Sequence, residues 1–368
     1  MITRDMVRQH PEVAVLGDVV EFLDHKRKPV KKSDRKEGPY PYFGANGPQG
    51  TIDGFLFDEP LLLLAEDGGH FENPDRGVAY QIAGKSWVNN HAHVLRPKEH
   101  LHLPYLTRVL ENYDLRPYLT GTTRWKLTKS GASEIPIPLP PLEEQKRIAA
   151  ILDQADALRR LRQRAIDRLD TLAQSIFFEM FGDPVSAARR DNVGRRETRP
   201  GWISCKLGDQ IVLQRGKDIT KKEVVDGPIP VISSGGISYH HNEAFVSGPG
   251  VLLGRKGSVG KVHFVETDYW PHDTTLYVKD FRSNDPRFVY HFFKQFPIAR
   301  FEASAANPSL NRNNLHPVPV RWPPNEMQSR FSALVTTVEG HAKRLSSELT
   351  ILNTLFASVQ QRAFRGEL

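Results

Sequence analysis

The chain says nearly the same thing twice. Leu16-Gly17-Asp18 returns as Leu207-Gly208-Asp209, and Gly38-Pro39-Tyr40-Pro41 returns as Gly227-Pro228-Ile229-Pro230. Leu62-Leu63-Leu64-Ala65 returns as Val251-Leu252-Leu253-Gly254. A proline-rich exit, Ile135-Pro136-Ile137-Pro138-Leu139-Pro140-Pro141, returns as His316-Pro317-Val318-Pro319-Val320 running on to Pro323-Pro324. Each exit opens a long polar helix. The repeat therefore dictates a tandem of globular domain and long helix, and a duplicated module usually reads a duplicated target. The 368 residues allow two or three domains, which fits two modules of roughly 180 residues each.

Composition narrows the class. A hydrophobic fraction of 39% and a charged fraction of 25% are ordinary for a globular chain. No run approaches the ~18 apolar residues of a spanning helix, and Met1 to Asp5 is too polar for a signal peptide. The single cysteine, Cys205, excludes an internal disulfide and fits a reducing compartment, so a cytoplasmic location is expected. A net charge of +7 and a pI near 9.3 favour a polyanionic partner.

Along the chain, residues 1–140 read as one mixed α/β domain, with apolar runs such as Leu61–Leu64 and His93–Leu95 between Gly, Pro and Asn punctuation. Residues 141–182 form a helix, and 183–200, with five arginines and almost nothing apolar, form a linker. Residues 201–322 repeat the domain, with strands expected at Pro230–Ser233, Gly250–Leu253, Lys261–Val265 and Thr275–Val278. Residues 323–368 form the second helix.

The helices carry the sharper pattern. Phe331, Val335, Val338, Ala342, Leu345, Leu349, Leu352, Phe356, Val359 and Ala363 follow steps of four and three, a coiled-coil seam. The same ladder stands 183 positions earlier: Ile148, Leu152, Ala155, Arg159, Arg162, Ile166, Leu169, Ala173, Ile176 and Met180. At its two arginines, either Leu158 and Leu161 shift the seam or the arginines snorkel. Matched registers favour helix on helix over each helix packing on its own domain. A whole domain separates the helices, so the expected pairing is an antiparallel coiled coil with pseudo-two-fold symmetry. Each helix spans roughly 60 Å, about one and a half turns of DNA.

Glu134-Ile135-Pro136-Ile137-Pro138-Leu139-Pro140-Pro141-Leu142-Glu143-Glu144-Gln145-Lys146-Arg147-Ile148-Ala149-Ala150-Ile151-Leu152-Asp153 resembles the central region of type I restriction-modification specificity subunits. Phe181-Gly182-Asp183-Pro184, the ending from Gln361 to Leu368, and Leu252-Leu253-Gly254-Arg255-Lys256-Gly257-Ser258-Val259-Gly260 are similar to segments of the same family. The resemblance covers essentially the whole chain. It implies a non-catalytic subunit whose two target-recognition domains each bind half of a gapped DNA site, with the helices as spacer and docking surface. It implies two methyltransferase subunits and two restriction subunits as partners, and assigns S-adenosylmethionine, ATP and magnesium to those partners.

The residues agree with a reader. An amino-methyltransferase needs an Asn/Asp-Pro-Pro-aromatic tetrapeptide, and neither Asn307-Pro308-Ser309 nor Trp322-Pro323-Pro324 qualifies. A phosphate loop ending at Lys261 would need glycine at Arg255 and a hydroxyl at Val262. His91-Ala92-His93 and His100-Leu101-His102 alternate on one strand face. They lack cysteines nearby and acids at useful spacing, so no metal site is expected; exposed or hydrogen-bonding histidines are.

Phosphate contacts are expected at Lys26, Arg27, Lys28, Lys31 and Lys32 of the first domain and at Arg215, Lys217, Arg255 and Lys256 of the second. Base reading needs paired donors and acceptors. Its loop candidates are Asn46 and Gln49; Tyr239 and His240; and Arg124 and Lys126, paralleled by Asn311, Arg312 and Asn313. Ala65-Glu66-Asp67-Gly68 stands opposite Gly254-Arg255-Lys256-Gly257 with inverted charge. Either both are structural turns, the favoured reading, or an acid accepts from a cytosine amine; both predict unlike half-sites. The alternative function is a partner-binding scaffold that has lost sequence-specific recognition.

Overall fold

The computed structural model describes residues 2–73, 76–121, 124–183, 200–301 and 309–368. Most of the expected linker, 184–199, lies outside them. The chain forms two compact units, Met1–Gln163 with Ser347–Leu368, and Arg164–Ser346.

Unit 1 opens with α1 (Arg4–Val7), β1 (Val13–Val15), α2 (Leu16–Val19) and β2 (Val20–Phe22). Seven strands follow: β3 (Tyr40–Gly44), β4 (Gly47–Ile52), β5 (Phe57–Asp58), β6 (Leu61–Ala65), β7 (Ala79–Ile82), β8 (Lys85–Val88) and β9 (Ala92–Pro97). Then come α3 (Leu103–Leu110), β10 (Leu119–Thr120), β11 (Lys126–Leu127), α4 (Lys129–Ser133), β12 (Pro136–Pro138) and the long α5 (Leu142–Phe181). The sheets run β2-β9-β6-β7 and β4-β3-β8-β5. Strand β6 explains the run of four leucines. Leu62 and Leu64 face one apolar cluster, with Leu106 and Val109 of α3. Leu61 and Leu63 face another, with Phe57 and Val88. A strand covered on both faces reads as continuous apolar sequence.

Unit 2 repeats this order. It holds β13 (Ile203–Lys206), α6 (Leu207–Gln210), β14 (Val212–Arg215), β15 (Ile229–Ser233), β16 (Gly236–His241), β17 (Gly250–Gly254), β18 (Val262–Val265), β19 (Trp270–Pro271) and β20 (Thr275–Asp280). It continues with α7 (Pro286–Gln295), α8 (Arg312–Leu315), β21 (Pro319–Trp322) and the long α9 (Asn325–Arg365). Its sheets are β14-β20-β17-β18 and β16-β15-β19. The proline-rich exits close each domain the same way, β12 pairing antiparallel with β1 and β21 with β13. The repeated glycines are steric. A Cβ on Gly17 would meet Ser133 at 2.9 Å, and one on Gly208 would meet His316 at 2.9 Å.

The helices pair antiparallel inside each unit. In unit 1, Arg159 bonds Asn353 and Arg162 bonds Glu348 at 3.1 Å. In unit 2, Phe177 and Phe181 both contact Phe331. Helix-on-helix and helix-on-domain packing coexist, because the helix ends are core. Ile148, Leu152, Phe356 and Phe364 belong to the unit 1 cluster, and Ala173, Phe177, Phe331 and Val335 to that of unit 2. Of the remaining seam, Ile166, Leu169, Ile176, Leu345, Leu349, Leu352 and Val359 are half-buried. The arginines settle the break in the ladder by staying in it. The Arg159 guanidinium lies 4.4 Å from the Phe356 ring centroid, while Leu158 and Leu161 remain 56% and 54% exposed.

Each domain grips its helices through a pair of equivalent residues. The buried Gln145 side chain accepts from the His102 amide and donates to the carbonyls of Pro140 and His100. Gln328, 183 positions later, accepts from the Asp285 amide and donates to Pro323 O and Asn284 Oδ1. Arg108 of α3 meets Asp153 and Asp156 of α5 at 2.7 and 3.3 Å. At the same offset, His291 of α7 meets Glu339 of α9 at 2.9 Å. Among the described residues, no helix is long and apolar enough to cross a membrane.

Candidate nucleic-acid interface

In each unit one corner gathers charge: the turn after the central strand, the chain entering the next strand, and the loop before a short helix. Backbone hydrogen bonds make the two corners strictly comparable. Glu66 and Asp67 amides donate to His91 O, as Arg255 and Lys256 amides donate to Thr274 O. Leu127 N donates to Glu66 O, as Leu310 N donates to Arg255 O. Glu66 therefore corresponds to Arg255, and Lys126 to Ser309. Trp87 and Trp270 donate through their indoles to Lys28 O and Lys217 O, so Arg27 corresponds to Gly216.

This register corrects one parallel drawn from sequence. Lys126 stands opposite Ser309, not opposite Asn313. Asn311 corresponds instead to Thr128, because both are helix N-caps, Thr128 accepting from the Gly131 amide and Asn311 from the Asn313 amide.

In unit 1 the corner is a closed ion network. Glu66, 8% exposed, meets Arg27 Nη1 at 2.6 Å and Lys126 Nζ at 2.9 Å. Arg27 also donates to Ala92 O at 2.7 Å. His93 is 1% exposed, with Nδ1 2.6 Å from Asp24 and Nε2 2.9 Å from Leu127 O. Asp67 takes His91 at 2.5 Å and Arg124 at 3.2 Å. Burial alone would raise the Glu66 carboxyl, but hydrogen bonds from Arg27 and Lys126 and the charges of His93 and Arg27 outweigh it and lower its pKa. Asp24 is lowered in the same way, burial being outweighed chiefly by His93.

Three expectations change here. Arg27 is half-buried and committed to Glu66, so it is no free phosphate contact. His93 is interior, and it does have acids beside it, because the fold brings Asp24 and Glu66 from distant segments. Glu66 is neutralised by cations and is not presented to a base. Asp24, Glu66 and His93 have the spacing of a metal-ligand set, but Arg27 and Lys126 already occupy the Glu66 oxygens.

Unit 2 opens the same corner. Gln214, Arg215, Asp218, Arg255, Asp273, Asn311 and Arg312 line a cavity of about 810 Å³. Arg215 Nη2 bonds Asp273 Oδ2 at 2.7 Å. Burial would raise Asp273, but Arg215, His272 and Arg255 lower it. Arg255 is depressed by burial first and by neighbouring Arg215 second. Asp218, His272 and Asp273 form a second set with metal-ligand spacing.

The other candidates divide. Lys26, Lys28, Lys31, Lys32, Lys217 and Lys256 are exposed, with Lys217 set over the rings of Phe245 and Trp270. Arg124 lines a separate cavity of about 390 Å³ with Trp125. Asn46 bonds Gly68 O at 2.8 Å in the β3–β4 turn. Gln49 lies in β4, and Tyr239 and His240 lie in β16; these three were expected in loops. Gln49 accepts from Asn89, and the Tyr239 hydroxyl donates to Ile219 O. Arg312 and Asn313 are exposed on α8. Sequence reasoning missed Asp273 and the Gln145–Gln328 pair; the latter was available from the 183-residue offset.

A family model for the type I restriction modification DNA specificity domain matches residues 11–170. A putative type I restriction enzyme specificity subunit of Haemophilus influenzae is 29% identical over 352 residues, 88% of this chain and 86% of that protein. The MjaVIII specificity subunit of Methanocaldococcus jannaschii is 24% identical over 62% of this chain and 55% of its own. Among solved structures, the type I S subunit of M. genitalium matches with a TM-score of 0.66 at 16% identity, covering 96% of this chain and 95% of its own. The repeated domain, the paired helices and these relatives agree: residues 11–170 match the type I restriction modification DNA specificity domain, and nearly the whole chain is similar to type I specificity subunits in sequence and fold.

Proposed function

We propose that this chain is the non-catalytic reader of its complex, each unit contacting one half of a gapped bipartite DNA site. The observation that carries this is the repeated corner: one fold position per unit, cations at both, and different chemistry in each. Exposed lysines around these corners would supply sequence-independent phosphate affinity, and the corners themselves would face base edges. Arg124 and Lys126 of unit 1 and Asn311, Arg312 and Asn313 of unit 2 are the base-reading candidates that this geometry favours. The helices would set the unread gap and dock two methyltransferase subunits. Leu158, Leu161, Ile351 and Leu355 of unit 1 are all more than half exposed, and four large apolar groups on a helix pair suit a partner surface. S-adenosylmethionine would belong to those partners, ATP and magnesium to two restriction subunits, and the assembly would act in the cytoplasm. The reader's role is to place an adenine that a partner flips from the stack.

A base-resolution methylome of the host, with this gene intact and deleted, tests the reading. Loss of methyladenine at one gapped two-part motif is expected. An unchanged methylome would favour a scaffold that no longer reads DNA. Exchanging residues 202–322 for the matching domain of a relative should change one half-site only.

A further inference from the structure

We infer that Arg255 is a specificity-determining residue of unit 2, presenting its guanidinium to the O6/N7 edge of a guanine in the second half-site. The inference rests on the proposed reading of DNA and assigns one base contact within it.

The argument is the difference between two equivalent positions. In unit 1 the residue at this place is tied into the fold: Glu66 is held by Arg27 and Lys126, with His93 3.7 Å away. In unit 2 each of those partners is gone. Gly216 replaces Arg27, and a Cβ there would meet His272 O at 2.2 Å, so no side chain can return. Ser309 replaces Lys126. The pairing of β17 with β20 sets Leu276 where His93 stands in unit 1. Among the described residues, no hydrogen bond or ion pair claims the Arg255 guanidinium. The fold has dismantled the network and left one half-buried cation facing a cavity. Leaving a half-buried guanidinium without a partner costs free energy, and a ligand that accepts its hydrogen bonds recovers that cost.

Its ligand follows from the surroundings. A phosphate is well served by exposed cations such as Lys256, which need no desolvation. The cavity around Arg255 sets two carboxylates, Asp218 and Asp273, among three arginines, Arg215, Arg255 and Arg312, and this mixed lining of donors and acceptors suits the polar edge of a base better than the exposed lysines do. The Arg255 backbone is fixed on both sides, its amide donating to Thr274 O and its carbonyl accepting from Leu310 N. A planar fork on a fixed backbone suits bidentate contact with guanine. Arg215, already bonded to Asp273, is spoken for.

The test uses the full chain assembled with its methyltransferase subunits. The wild-type methylome first defines the motif; if no gapped motif exists, the proposed reading falls and this inference with it. Duplex probes carrying that motif, or each single base-pair change in its second half, are then bound by wild-type, Arg255→Ala and Arg255→Gln complexes. Wild type should discriminate one G·C position by on the order of 10- to 100-fold. Both variants should lose that discrimination at that position alone, with the first half-site and gap unchanged. Lys256→Ala should weaken binding to all probes equally. Arg255 variants that bind all probes more weakly but keep wild-type discrimination, with a shallower salt dependence, would make it a phosphate contact and overturn the inference while leaving the two-part reading standing.

Discussion

At the scale of the residue, the same position is structural in one unit and open in the other, and stability measurements should separate them. Glu66→Gln leaves the half-buried Arg27 without its main counter-charge, and breaking such a pair costs about 3 kcal/mol. Arg255→Ala removes no fold contact and should lie within about 0.5 kcal/mol of wild type. Urea titrations of both variants check this; equal losses would show that Arg255 is also structural. The Glu66 contribution has a defined pH dependence. Its folded pKa is lowered from 4.5, so the stabilisation is fully present above 4.5 and is lost as pH falls through the folded value. The gap between wild type and Glu66→Gln should therefore narrow as the pH falls below 4.5. None of this network was legible in sequence. Asp24, Glu66, His93 and Lys126 come from four segments, and only strand pairing brings them together. What was legible was the inverted charge at 66 and 255, without its cause.

At the scale of the element, the repeats were readable because they rest on local chemistry. Glycines that touch a neighbouring helix, prolines at strand ends and a five-residue strand buried on both faces leave marks in any sequence. The expected strands at 230–233, 250–253, 261–265 and 275–278 lie within a residue or two of β15, β17, β18 and β20. The seam was less complete. Its steps of four and three led to Phe331, Val335 and Phe356 but passed over Phe177, Phe181 and Phe364, which lie one position off the ladder: Phe177 and Phe181 are buried against both Phe331 of α9 and Phe288 of the domain, and Phe364 packs on Tyr105. Gln145 and Gln328 were passed over for a related reason: a glutamine in a polar helix looks solvated until its partners are seen. Gln145 holds three hydrogen bonds and Gln328 four at a helix–domain junction. Gln145→Ala and Gln328→Ala should each cost about 2 kcal/mol by stranding buried amides and carbonyls, read as lower midpoints of chemical unfolding. Losses under 0.5 kcal/mol would mean that water replaces the side chain. The exposed leucines give the opposite expectation. Changing Leu158, Leu161, Ile351 and Leu355 together to serine should leave unfolding within about 1 kcal/mol of wild type, yet weaken capture of the methyltransferase subunits at least tenfold in a titrated pull-down. Undiminished capture would place that partner elsewhere.

At the scale of the whole molecule, the telling fact is that neither long helix belongs to one unit. Residues 142–163 of α5 lie in unit 1 and 164–181 in unit 2, while α9 divides after Ser346 in the opposite order. The rise of an α-helix, about 1.5 Å per residue, is fixed by its hydrogen bonds. If the helices set the gap, lengthening both by one heptad should lengthen the unread stretch and nothing else. The insertion belongs at the unit boundaries, after Gln163 and after Ser346. A site such as Ala173 is unsuitable, because it is buried in the unit 2 core. Seven residues preserve the alternation of four and three, so the seam on either side keeps its facing. They add roughly 10 Å, close to three base pairs at about 3.4 Å each. The methylome of a host carrying the lengthened chain should show both half-sites unaltered and a gap about three base pairs longer. An altered half-site with an unchanged gap would refute the spacer role, because it would mean that the helices influence what each domain reads and not where the domains stand on the DNA.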